Sequence, residues 1–493
     1  MSKNRSHLRQ KSVASGWNST LSASHVFCVV LLTSLPGAVS AYGAIAPPIK
    51  PEVRTHTKPS PLSSDAVTAD WPRFLGPNHD GTTRETKLLK KFPAGGPKLL
   101  WEMKTGEGYA APSVVNDRLV FFHKVGELAT VDCLNAQTGE PIWRFTYPSD
   151  YEDRYEFSPG PRCSPVIDGD RVYLFGVEGM LHCLRMKDGS LVWKRDINGE
   201  YKVHQDFFGV VSTPLVDGDV LVVNVGAPGG PSVVGFDKYT GKVKWSAGDQ
   251  WGPSCASPVP AMIDGARRVL VFAGGDSDPP TGGLLSIDPA TGNIDVRFPF
   301  RSKQYISINA ASPLAIGDTV FLTTSYRTGC VLVGVGKNNK GRVLWKSKAL
   351  RSHFATPIDR DGVIYGLDGS GQGQTAMVAV DATTGKQLWS FQPEWKRTVK
   401  QNGKPKEMTF SVGRGSLLLA DGDFLCQTEM GRLAWFDLSR SGARELASTP
   451  LFFAKSTWTP PVISRGLLYI CQNAPDRTSQ TGPRLLCYDL RTR

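Results

Sequence analysis

The side chains best equipped for chemistry in this 493-residue sequence lie shortly before the openings of a repeated strand pattern. They are Tyr109, Arg162, Phe208 with His204 and Asp206 beside it, Trp251, Asn309, His353 with Phe354, Arg414 and Trp458. The set is aromatic and cationic, which suits stacking against a flat or sugar-like ligand and pairing with an acidic one. A hard cation is poorly served. Calcium takes about six to eight oxygens, and only Asp206 and Glu156 offer carboxylates nearby. The histidines show no HExxH or paired spacing, so a zinc site has no ligands. No G-x-S-x-G, Walker loop or close carboxylate pair occurs, which leaves hydrolase and nucleotide chemistry without residues. The plain alternative is that these residues line a channel or a solvated loop.

The elements that position them repeat about every 50 residues from Trp101 onward. Aligning turn glycines gives "NAQTGEPIW" (Gly139), "RMKDGSLVW" (Gly189), "DKYTGKVKW" (Gly241), "DPATGNIDV" (Gly292), "KNNKGRVLW" (Gly341) and "DATTGKQLW" (Gly385). Four residues on stand Trp143, Trp193, Trp245, Trp345 and Trp389, with Val296 in the fourth copy. Each unit opens on a small residue, usually followed by proline, and a strand pattern, as in "CSPVIDGDRVYLFG" and "STPLVDGDVLVVNV". Asp-Gly between apolar runs specifies a two-residue hairpin, and two further runs flank the Thr-Gly turn. Four strands per unit cannot bury both faces alone. Radial stacking can, and eight openings predict an all-β, eight-bladed propeller of four-stranded antiparallel blades. The eighth unit stops after its third strand, and "PKLLWEMKTG" before the first unit is a spare strand with Trp101 in the fourth-strand position. This N-terminal strand is expected to complete the last blade and remove an open edge.

The stretch "AVDATTGKQLW" fits Ala-x-Asp-x-x-Thr-Gly-x-x-x-Trp through Ala379, Asp381, Thr384, Gly385 and Trp389. It resembles the docking motif of the pyrroloquinoline quinone (PQQ)-like propeller superfamily, and "DWPRFLGPNHDGTTR" from Asp70 resembles the segment ahead of that superfamily's first propeller strand. Chemically the motif is structural: the glycine permits positive φ, Asp381 and Thr384 bond the turn, and the tryptophan fills space between blades. A working quinoprotein dehydrogenase in this superfamily implies Ca²⁺ on carboxylates and an Asn, an Asp base, a quinone on Trp and adjacent cysteines. No two of the nine cysteines are adjacent. PQQ and Ca²⁺ are therefore disfavoured, and no metal or catalytic residue is assigned. The resemblance points to the non-catalytic branch typified by the outer-membrane assembly factor BamB, a protein-binding propeller. Two alternatives stay open: a PQQ-dependent alcohol or sugar dehydrogenase with a degenerate site, and a propeller binding carbohydrate or an acidic ligand at its mouth.

Domain limits follow from composition. Residues 1–41 carry Lys3, Arg5, Arg9 and Lys11 with no acid, then the apolar run from Val26 to Ala41 ending in small residues, the pattern of a secretory signal. Without those four bases, 53 Lys and Arg stand against 45 Asp and Glu, a net of +8. Charges of both signs alternate with no Lys/Arg block that would track phosphates, which argues against nucleic acid. Residues 42–69 read as a Pro/Ser-rich linker, 70–97 as a plug packed through Trp71 and Phe74, and 98–493 as the propeller. The chain is expected to be exported, periplasmic, envelope-associated or secreted, with no transmembrane segment after cleavage and a protein partner in the envelope. Cys133, Cys183 and Cys487 take equivalent third-strand places in neighbouring blades, too far apart to bridge, and are expected as buried hydrophobes. On the long-loop face, Gln392–Phe410 carries a net +3, opposite an acidic connection with Asp150, Glu152, Asp153 and Glu156.

Overall fold

In the computed structural model, which describes residues 50–492 apart from 205–207, 276 and 402–403, the strands follow the order the repeats predict. Residues 1–41, expected as a secretory signal, and Asp206 lie outside the described residues. Among the described residues, seven sheets have four consecutive antiparallel strands. Blade 1, for example, runs Ser113–Val115, Arg118–Val125, Leu128–Asn135 and Pro141–Pro148. The eighth blade takes Val462–Ser464, Leu467–Gln472 and Arg484–Asp489 from the end of the chain and Lys98–Lys104 from its beginning. Trp101 sits opposite Cys487 in that pairing, so the ring closes by joining the two ends. Three residues within the stretch expected as a linker, Val53–Thr55, add a fifth strand outside Lys98–Lys104. Two β-branched residues in a short run between prolines give too little period to reveal a strand.

Tryptophan docking runs around the ring, each indole bonding the carbonyl three residues before the next blade's turn glycine. Nε1 of Trp101 donates to Ala136 O at 3.1 Å, Trp143 to Met186 O at 3.0 Å, Trp193 to Lys238 O at 3.1 Å and Trp245 to Pro289 O at 2.9 Å. Trp345 then reaches Ala382 O at 2.9 Å and Trp389 reaches Ser439 O at 2.8 Å. Gly385 is thus a receiver as well as a turn residue: a Cβ there would stand 2.4 Å from the Trp345 ring. Where Val296 replaces tryptophan, the facing Gly341 has open space over it. Asp381 accepts from the backbone of Thr383 and Thr384, at 3.1 and 2.8 Å, and from the Thr384 hydroxyl at 2.9 Å. Side-chain bonds from Arg440 and Thr384 hold its carboxyl down, at about 2.

A second girdle lies near the axis, built from the hydroxyl residues that precede the opening prolines. Backbone N–H groups donate across blade boundaries from Ala111 to Ser164 Oγ (3.2 Å), Ser164 to Thr213 Oγ1 (3.2 Å), Thr213 to Ser257 Oγ (3.0 Å), Ser257 to Ser312 Oγ (3.1 Å) and Ser312 to Thr356 Oγ1 (3.1 Å). A small residue before proline is therefore a hydroxyl acceptor that satisfies an otherwise buried donor. Segment 70–97 closes the ring on its tight-turn face. Trp71 is buried and exchanges backbone bonds of 2.8 Å with Val114, Thr83 N donates to Leu419 O at 2.9 Å, and Leu89 N donates to Leu490 O at 2.7 Å. Cys133, Cys183 and Cys487 are free and buried, and burial pushes the Cys133 thiol up to about 12.

Candidate functional site

The connections from fourth to first strands meet on the open face around a central cavity of about 410 Å³. Its floor is the plug, through Phe74 and Leu75. Of the mouth residues expected from sequence, Tyr109, Arg162, His353, Arg414 and Trp458 line it, together with Phe208 and Phe354. Three others are placed elsewhere. Trp251 is 6% exposed in the apolar cluster between blades 3 and 4, with Arg297 over its ring at 5.4 Å. Asn309 is wholly buried and uses Nδ2 to tie Ala273 O and Phe300 O, at 2.9 and 3.3 Å. His204 borders a separate small crevice beside Asn198 and Val203. Tyr155, Phe157, Ile306 and Tyr326 also line it; they carry no signal in the sequence, because they sit mid-loop with no fixed offset from the opening proline.

Trp458 organises one wall. Its ring lies 5.1 Å from Tyr109, 5.3 Å from Phe157 and 6.3 Å from Phe354, and Arg414 sits over it at 5.4 Å. Glu429, behind this wall, accepts from Trp458 Nε1 at 2.8 Å, Arg414 N at 3.2 Å and Gln372 Nε2 at 3.3 Å. The Arg414 guanidinium approaches it only at 3.7 Å. Arg162 is different: it pairs with Asp153, whose side chain is 1% exposed and whose other oxygen accepts from Tyr155 N and Phe157 N at 2.8 and 3.2 Å. Asp153 is thus the anchor that holds two aromatic residues at the rim. This removes it from the acidic surface expected for that loop, where Asp150, Glu152 and Glu156 remain exposed.

Protonation states follow from burial. Tyr109 and Tyr326 are both pushed up to about 12 by desolvation, so each keeps its proton at neutral pH. His353 is lowered to about 4, by burial first and by the Arg414 charge second, and is neutral. Its Nε2 meets Tyr326 Oη at 3.1 Å. None of the cavity's described lining residues is Asp, Glu, Asn or Gln. The wall is therefore apolar and cationic, with hydroxyls among its uncharged polar groups and no anionic or amide side chain. Calcium-assisted PQQ chemistry, which needs several oxygens at the metal, does not fit this donor set. Among the described residues, no three His, Cys, Asp or Glu side chains are grouped to hold a metal. The buried set His123, Asp132 and Arg144 in blade 1 looks like part of a catalytic triad. Its roles are filled internally: His123 meets Asp132 at 2.9 Å and accepts from Gly106 N–H at 2.9 Å, which occupies both ring nitrogens.

With the geometry in place, comparisons agree on the architecture. The family model described as outer membrane protein assembly factor BamB matches residues 127–366 and 317–492. The BamB of Burkholderia pseudomallei is 27% identical over 349 residues, which span 69% of this chain and 78% of that protein. Quinohemoprotein alcohol dehydrogenase ADH-IIG of Pseudomonas putida is 22% identical over 421 residues, 76% of this chain but 50% of the dehydrogenase. Among solved structures, BamB from Moraxella catarrhalis superposes with a TM-score of 0.51 at 14% identity, over 80% of this chain and 98% of that one. A europium-containing methanol dehydrogenase gives 0.59 at 12% identity, over 86% and 98%. These structural likenesses establish the shared fold.

Proposed function

Since the chain belongs to the family of outer membrane protein assembly factor BamB, we propose that it is a non-catalytic propeller of the cell envelope that docks a protein partner on its long-loop face. The observation that carries this reading is the combination of apolar and basic surface on that face. Tyr155 (38%), Phe157 (46%), Tyr305 (46%) and Ile306 (64%) stay exposed around the cavity mouth, more large apolar side chain than a free loop surface usually concentrates. On the connection that leads to Arg414, the insertion between blades 6 and 7 forms a hairpin, Trp395–Gln401 paired with Lys404–Phe410. Its base is fixed. Trp395 Nε1 donates to Glu445 at 3.1 Å, Arg397 lies over Phe453 at 4.5 Å, and Phe410 packs edge-on against the same ring at 5.3 Å. Lys396, Lys404 and Lys406 are exposed along it. A fixed base carrying exposed lysines suits steering and orienting a partner more than adding affinity. Export to the envelope is part of the same reading, in line with the leader pattern in residues 1–41.

Photo-crosslinking in cells tests it. A benzophenone residue at Lys404, Lys406 or Ile306 should give one discrete protein adduct, and the same probe at Lys91 or Asp117 on the plug face should give none. Equal adducts from both faces, or none from the hairpin, would contradict the docking face.

A further inference from the structure

The central cavity carries features that a protein-docking role leaves unexplained. Arg414 lines it, and its guanidinium meets no acceptor at hydrogen-bond distance among the described residues: the nearest carboxylate, Glu429, stands 3.7 Å from Nη1. A guanidinium so placed can pair with a carboxylate brought by a ligand. We infer that the cavity binds a small amphipathic anion, with a flat apolar body against Trp458, Tyr109, Phe157 and Phe354 and a single carboxylate head at Arg414. This goes beyond the docking role and does not depend on it.

The chemistry of the wall selects this class. A sugar's vicinal hydroxyls are best held by carboxylate or amide side chains, and the described lining supplies neither. A metal-bound ligand fails for the same reason. A doubly charged head would call on a second unsatisfied cation, whereas Arg162 is already paired with Asp153 and donates to Ser158 O at 3.0 Å. Arg414 is the guanidinium left with capacity, because Glu429 reaches it only at 3.7 Å and is engaged at hydrogen-bond distance by Trp458, Gln372 and the Arg414 backbone. At about 410 Å³, the cavity falls within the usual range of roughly 300–1,000 Å³ for small-molecule sites.

Isothermal titration of the exported chain with 1-naphthylacetate and with its neutral isostere 1-naphthylacetamide decides the matter. The acid should bind at one per chain and at least tenfold more tightly than the amide. Arg414→Gln should remove at least tenfold of the acid's affinity and leave the amide's unchanged, and Lys91→Gln on the plug face should alter neither. Equal binding of acid and amide, equal loss of both in Arg414→Gln, or no binding of the acid at millimolar concentration would overturn the inference. Should Arg414→Gln fail to fold, the acid–amide ratio on the unmodified chain still decides it.

Discussion

Trp101→Ala should cost about 3–5 kcal/mol of unfolding free energy, the range for emptying a fully buried large aromatic site. The equivalent change at Trp389 should cost only about 1–2 kcal/mol, in proportion to its partial burial. Both indoles make the same bond to the next blade, so the bond does not separate them. Burial does. Trp101 is 0% exposed, because Val53 of the extra outer strand covers it, whereas Trp389, with the same tyrosine contact at 6.1 Å, stays half-buried at the blade edge. Trp101 also lies in the strand that joins the two ends of the chain, so its loss weakens the closure that leaves no sheet edge open. Urea unfolding of the two variants measures the difference. Equal costs would mean that the fifth strand does not cover blade 8 in solution.

Gly385→Ala should be nearly as damaging, about 2–5 kcal/mol, and Gly341→Ala should cost only about 1–2 kcal/mol. The two glycines have almost the same backbone, φ +69° and +72°, so both variants meet the left-handed penalty of roughly 1–2 kcal/mol for an L side chain. Only one also meets a wall. The added methyl at Gly385 would press into the Trp345 ring, with Cε3 at 2.4 Å and Cδ2 at 2.6 Å, while the space over Gly341 is open because Val296 stands where other blades carry tryptophan. Chemical denaturation of the pair isolates the docking contact from the turn strain. Indistinguishable midpoints would show that the indole can move aside.

Most of the ring was legible in the sequence because its information is periodic. The alternation of apolar residues, the Asp-Gly turns and the Gly-to-Trp spacing each recur, and repetition made even the split eighth blade readable from Trp101. The motif "AVDATTGKQLW" reads as structural, and its two halves serve different neighbours: Gly385 receives Trp345, and Trp389 docks on Ser439. The candidate site was less legible for a physical reason. Position before the opening proline fixes where a loop arrives at the ring and leaves open which way its side chains turn. Asn309 turns back to tie two carbonyls, Trp251 folds between blades, and Tyr155 and Phe157 reach the rim because Asp153 bonds their backbone. The hydroxyl girdle was present in the letters as Ser or Thr before proline. Its role as acceptor for the preceding blade becomes visible only once the blades are placed side by side.

The proposed docking role assigns the basic hairpin of the long-loop face to guiding a protein partner. Its most direct test is the association rate of the partner identified by crosslinking, measured by stopped flow at low and high salt, for the native chain and for Lys396→Glu/Lys404→Glu/Lys406→Glu. The account predicts a several-fold slower association for the triple variant at low salt and convergence of the two rates near 1 M salt, where the Debye length falls to about 3 Å. A rate indifferent to both the reversal and the salt would contradict it.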